Sequence, residues 1–164
     1  MILGMTTFTF VHVVLSLIGI LSGFVVLFGL LTRRRLDGWT AIFLLTTVAT
    51  SVTGFLLPAH HFMPSHGVGI ISMVVLAMAI LARYMFHLAG GWRRTYVVNA
   101  MIALYLNVFV LIAQLFQKVP ALKAMAPTGS EPPFLASQVI CMVAFIGLSI
   151  AATIKFRNET VSTA

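Results

Sequence analysis

Apolar residues run almost unbroken through five stretches, at 8–31, 39–57, 67–86, 97–116 and 134–154, and charged or proline-rich residues gather in the short connections between them. Each stretch approaches the roughly 20 residues that an α-helix, rising about 1.5 Å per residue, needs to cross a hydrocarbon layer about 30 Å thick. Lipid offers the backbone no hydrogen-bond partners, so a spanning segment of this kind must be helical. The pattern predicts an all-α membrane protein: a bundle of five transmembrane helices forming a single transmembrane domain over residues 1–164.

Inside the stretches, polar side chains recur with helical spacing. At about 100° per residue, Tyr96, Asn99, Asn107, Gln114 and Gln117 fall within about 80° of one another, a polar face along the fourth helix. The second helix carries Thr46, Thr50 and Thr53 on one face, with Thr47, Ser51 and Gly54 adjoining. The first aligns His12, Ser16, Gly19 and Gly23, and the Gly19-x-x-x-Gly23 spacing lets helix backbones approach closely. Two readings are open. The faces are either seams in which amides and hydroxyls bond across helices, or the lining of a hydrated or ligand-filled cavity. All three acids, Asp37, Glu131 and Glu159, lie outside the stretches, which argues against ion-coupled transport, where an ionisable group is held within the membrane.

Composition narrows the class. Hydrophobic residues are 60% and charged residues 8% of the chain, whereas a soluble domain carries about a quarter charged residues. The net charge of +7 would suggest nucleic acid in a soluble protein, but here Lys and Arg sit at the ends of the stretches, where they meet lipid headgroups. No nucleic-acid partner is expected. Arg33, Arg34, Arg35, Arg83, Arg93, Arg94, Lys155 and Arg157 fall on one side of a five-span topology, and only Lys118 and Lys123 on the other. Basic residues are retained on the cytoplasmic face, which places the N-terminus outside and the C-terminus in the cytoplasm of a bacterial inner membrane. The first stretch lacks a basic leader and ends in three arginines instead of a small-residue cleavage site, so it is expected to stay as an anchor. Cys141 is the only cysteine, so neither an intrachain disulfide nor a thiolate cluster can form.

On this topology His12, His60, His61 and His66 share the outer side. Imidazole ligates zinc, copper and haem iron, and these four are the candidate metal or haem ligands, with Glu131 able to join them and Gly19 and Gly23 able to admit a porphyrin. The plainer reading is interfacial histidines, each an amphipathic ring at headgroup depth. His87 follows His66 by 21 residues, about 31 Å along a continuous helix, and is excluded from the group.

The connections carry local signals. Leu36-Asp37-Gly38-Trp39 reads as a tight turn with Asp37 or Gly38 capping the second helix. Ser130-Glu131-Pro132-Pro133 reads as a helix start with a hydroxyl cap and an acidic first turn. Arg83-Tyr84-Met85-Phe86-His87 and Gly90-Gly91-Trp92-Arg93-Arg94 form a basic, aromatic border that suits headgroups or a docking partner.

The run Arg35-Leu36-Asp37-Gly38-Trp39, the threonine-rich helix ending Gly54-Phe55-Leu56-Leu57-Pro58, and Ala103-Leu104-Tyr105-Leu106-Asn107-Val108-Phe109-Val110 with Ser130-Glu131-Pro132-Pro133-Phe134 beyond it resemble small bacterial polytopic membrane proteins of unassigned activity. The resemblance implies a compact multi-pass fold and carries no site residues with it. The residues point to no reaction. They suggest an accessory or scaffolding membrane subunit, in contact with the lipid bilayer and with a membrane-protein partner or a second copy of itself. A haem- or metal-binding membrane protein is the alternative, and a small-molecule channel or carrier a third.

Overall fold

A computed structural model describes residues 6–56 and 64–157. The helices are α1 (Thr7–Leu31), α2 (Asp37–Leu56), α3 (Pro64–Ile80) continued by a π-helical turn at Leu81–Met85, α4 (Trp92–Lys118), a short α5 (Pro120–Met125) and α6 (Pro132–Arg157). No strand occurs among the described residues. Five of these helices, α1, α2, α3 with its π turn, α4 and α6, are long and apolar enough to cross a membrane. They coincide with the five stretches read from hydropathy to within a few residues at each end.

The helix ends follow from named side chains. Thr6 opens α1 by accepting a hydrogen bond from the Thr9 N–H through its hydroxyl oxygen. At the other end Arg33 takes a positive φ of 60°. The Arg34 N–H then returns to the Gly29 carbonyl at 2.8 Å, a left-handed stop that reverses the chain in few residues. Leu36 packs on Gly29, where an added Cβ would lie 2.8 Å from its Cδ1. Neither Asp37 nor Gly38 caps α2 as expected: the Leu36 carbonyl accepts from the Thr40 N–H, and Asp37 stands in the first turn, where a carboxylate complements the helix dipole. Glu131 likewise displaces Ser130 from the cap of α6, its carbonyl accepting from the N–H groups of Phe134 and Leu135. His87 lies beyond the end of α3, in a left-handed turn with Leu88, so the helix from His66 does not run on to it.

In the bundle α1 packs along α2, α2 against α3, α3 against α4, α4 against α6, and α6 closes back onto α1. The fourth helix also reaches across to α1, which makes it the central strut. The buried core is concentrated in one half. Leu27 and Leu30 of α1, Phe43 and Leu44 of α2, Leu76 and Ala79 of α3, Tyr96, Val97, Ala100, Met101, Ala103 and Leu104 of α4 and Ala152 and Phe156 of α6 all lie toward the end that carries the arginines. The opposite half holds most of the polar side chains that face neighbouring helices. On the outward faces Leu45, Val74, Ile140, Val143 and Ile154 are exposed, an apolar surface suited to contact with the lipid bilayer.

Candidate functional site

Polar side-chain contacts join helices inside the bundle. The Asn107 side-chain N–H donates to the Thr47 hydroxyl oxygen at 3.2 Å, linking α4 to α2. The hydroxyls of Ser51 and Ser72 meet at 3.2 Å, linking α2 to α3. His12 of α1 meets Thr53 of α2 through Nδ1 and Oγ1 at 2.8 Å. Gly19 makes room for the first of these: a Cβ there would lie 3.2 Å from the Thr47 hydroxyl, 3.3 Å from that of Thr46 and 3.6 Å from the Asn107 amide nitrogen. Gly54 does the same for His12, whose Cε1 lies 3.4 Å from the position of a Cβ. The Gly19-x-x-x-Gly23 spacing therefore does bring helices together.

The hydrogen bonds around Thr53 favour one tautomer of His12. The Thr53 hydroxyl has one proton, directed at the Ala49 carbonyl at 2.7 Å and the Thr50 carbonyl at 3.1 Å. With its proton on either carbonyl it accepts from His12, an arrangement in which Nδ1 carries the proton and Nε2 presents its lone pair. His66 is half-buried at the start of α3 beside Phe55, with ring centroids 6.1 Å apart. Thus His12 and His66 approach the last turns of α2 from α1 and from α3. His60 and His61 lie outside the described residues, and among the described residues no three His, Cys, Asp or Glu side chains are grouped as metal ligands.

A porphyrin does not fit beside Gly19 and Gly23. The space over Gly19 is taken by Thr46, Thr47 and Asn107, and a Cβ on Gly23 would meet Leu104 at 2.5 Å and Phe43 at 2.9 Å. Glu131 is engaged within its own loop, its carboxylate accepting from the Thr128 N–H and hydroxyl and from the Ser130 N–H.

The polar face of α4 divides along its length. Tyr96 is fully buried, and Asn107 reaches Thr47. Asn99 donates to the Thr95 carbonyl of its own helix at 2.8 Å, whereas Gln114 and Gln117 are exposed. Gln138 of α6 was not singled out by periodicity, yet it is buried and donates to the Phe109 carbonyl of α4 at 3.2 Å. Its position within the fifth apolar stretch was the available signal, since an amide in lipid requires a partner.

At the arginine-rich end the expected border of exposed charges contains a buried one. Arg83, on the π turn, is 7% exposed and donates to the Asp37 carboxylate at the start of α2. Its guanidinium also lies 5.2 Å from the centre of the Tyr96 ring and 5.9 Å from that of Tyr84, in the range of a cation–π contact. The π turn is what aims this side chain inward: the Phe86 N–H reaches back to the Leu81 carbonyl, rotating the last turn of α3 relative to an α-helix. Phe86 then stacks on Trp92 with centroids 3.9 Å apart, closing the connection to α4. No family model, curated protein or solved structure matches the chain.

Proposed function

We propose that this protein is a multi-pass subunit of a bacterial inner membrane, with its N-terminus outside and its C-terminus in the cytoplasm, acting as an accessory or scaffolding component of a membrane assembly. The observation that supports this reading is the use of its interior polar groups. Asn107, Thr47, Ser51, Ser72, His12 and Thr53 are taken up pairwise in contacts between helices, which is the chemistry of helix association. Placing the eight basic residues at the cytoplasmic face follows the retention of Lys and Arg on that side.

Purification in mild detergent tests the role. An accessory subunit copurifies with the same membrane proteins in stoichiometric amounts, whereas isolation as a lone, monodisperse species overturns the assignment. Orientation has its own test. Cysteines placed at Arg34 and at Ser130, in a Cys141→Ala background, should be protected from and accessible to an impermeant thiol reagent in intact cells, respectively.

A second reading rests on the tautomer of His12. With Nδ1–H held by Thr53, the free Nε2 is arranged as in metal-ligating histidines, whose other nitrogen donates to a neighbouring oxygen. His60, His61 and His66 are the partners it would need. A Soret band or stoichiometric metal in the purified protein, lost in both His12→Ala and His61→Ala and kept in His87→Ala, supports this role. Protein that neither contains nor takes up haem or metal excludes it.

A further inference from the structure

Two concavities lie on one side of α4. The first, of about 320 Å³, is framed by Gly90, Gly91, Arg93 and Arg94 where α4 begins. Nothing lies within 4 Å of a Cβ position on either glycine, so the backbone there is bare. The second, of about 220 Å³, is a groove between α4 and α6 lined by carbon-rich side chains that include Met101, Tyr105, Met142, Phe145 and Ile150. Met101 and Phe145 are buried and form its floor, and Ile146 and Ile150 stand exposed along its rim. The floor is braced by rings: Phe145 meets Tyr105 at 5.7 Å and Phe24 of α1 at 6.3 Å.

The two concavities are in register. Arg94, Met101 and Tyr105 fall within about 40° of one another on the surface of α4, and Val98, between them, is exposed. From Arg94 to Tyr105 the helix rises about 16 Å, which matches half of a hydrocarbon core about 30 Å thick. A basic hollow at headgroup depth thus lies in line along α4 with an apolar groove that ends near the bilayer midplane.

We propose that this surface binds one phospholipid with an anionic headgroup, its phosphate against Arg94 and Arg93 and an acyl chain in the groove between α4 and α6. The match of length selects a lipid of a single leaflet, and the positive charge at the mouth selects an anionic one. Arg93 also lies over the Phe156 ring, 5.9 Å from its centre, which holds the α6 end of the mouth in place. The proposal requires only that the five helices lie in a bilayer and is independent of the subunit role.

The full chain in nanodiscs of equal phosphatidylglycerol and phosphatidylcholine content, released into a mass spectrometer under native conditions, tests it. Wild-type protein should retain phosphatidylglycerol in excess over the bulk ratio. Arg94→Gln should lower that excess by roughly fivefold, the effect of one basic residue at an anionic surface. Arg34→Gln removes the same charge from the same end, at an exposed position away from the groove, and should leave the excess intact. Ser149→Trp, which fills the groove, should reduce retention of both lipids, with circular dichroism confirming the helical content. Lipid retained at the bulk ratio by the wild type overturns the proposal. Equal losses in Arg94→Gln and Arg34→Gln, or unchanged retention in Ser149→Trp, do the same. So does a cysteine at Ile150 that crosslinks two copies in place of bound lipid.

Discussion

The Asn107 amide of α4 donates to the Thr47 hydroxyl oxygen of α2 at 3.2 Å, beside the bare backbone of Gly19 on α1. Three helices meet at this point. Each contributes what the other two need: a donor, an acceptor, and the absence of a side chain.

Asn107→Leu keeps the approximate volume but removes the donor from a place where water cannot substitute. A destabilisation of about 1 kcal/mol is expected from interhelical hydrogen bonds in membranes and the stranded hydroxyl. Thr47→Val should cost a similar amount, and the double variant less than the sum. Leu45→Ala, on the exposed face of α2, should be nearly silent. Unfolding in mixed micelles reads all four, and additive losses would show that the two side chains do not interact.

Gly23 predicts a steric effect of a different kind. A methyl group there would lie 2.5 Å from Leu104 Cδ1 and 2.9 Å from Phe43 Cε2. Leu104 and Phe43 are each 1% exposed, so neither can give way without disturbing the core. Gly23→Ala should destabilise by about 1–3 kcal/mol through overpacking. Gly147→Ala, with nothing within 4 Å of its Cβ position, should be neutral or slightly stabilising through helix propensity. Equal melting behaviour of the two variants would contradict the packing of α1 against α2 and α4.

The Arg83–Asp37 pair is unequal, with side-chain exposures of 6% and 77%. Removing the exposed partner should therefore cost more than removing the buried one. Asp37→Asn leaves a guanidinium buried with its charge unbalanced, whereas Arg83→Met leaves a carboxylate that water can solvate. A loss of about 2 kcal/mol is expected for Asp37→Asn, in the range for hydrogen bonds to charged groups, and a smaller loss for Arg83→Met. The reverse order in thermal melting would mean that Arg83 contributes mainly through packing against Tyr96.

Glu131 makes the loop before α6 sensitive to acid. Desolvation pushes its carboxyl upward, but hydrogen bonds from the Thr128 N–H and hydroxyl and the Ser130 N–H together outweigh it, holding the pKa down from 4.5 to about 2. Because the folded form favours the charged state, its contribution is complete above 4.5 and is lost as the pH falls through about 2. A carboxyl-carbon NMR titration should place the Glu131 midpoint near the lower value, and Thr128→Val should move it upward. A midpoint that Thr128→Val leaves in place would show that these hydrogen bonds do not set it.

Hydropathy by itself determined where the five helices run. Length and apolar content are local properties, and lipid leaves a spanning segment no alternative to a helix. It also determined that Gly19 would admit another helix and that the arginines would gather at one end. Periodicity placed Asn107 and Gln114 on the same face of α4, since spacing is all that it measures. Only tertiary structure decided that Asn107 finds Thr47 while Gln114 is exposed, because the packed core occupies the arginine-rich half of the bundle. Only tertiary structure made Arg83 a buried charge. Its neighbours in sequence mark it as a border residue, and its partner is 46 positions away. They meet because α2 and α3 pack side by side with the start of α2 at the end of α3, where Arg83 stands on the π turn. A pairing that depends on how two helices pack and on one irregular turn leaves no trace in the periodicity of any single helix.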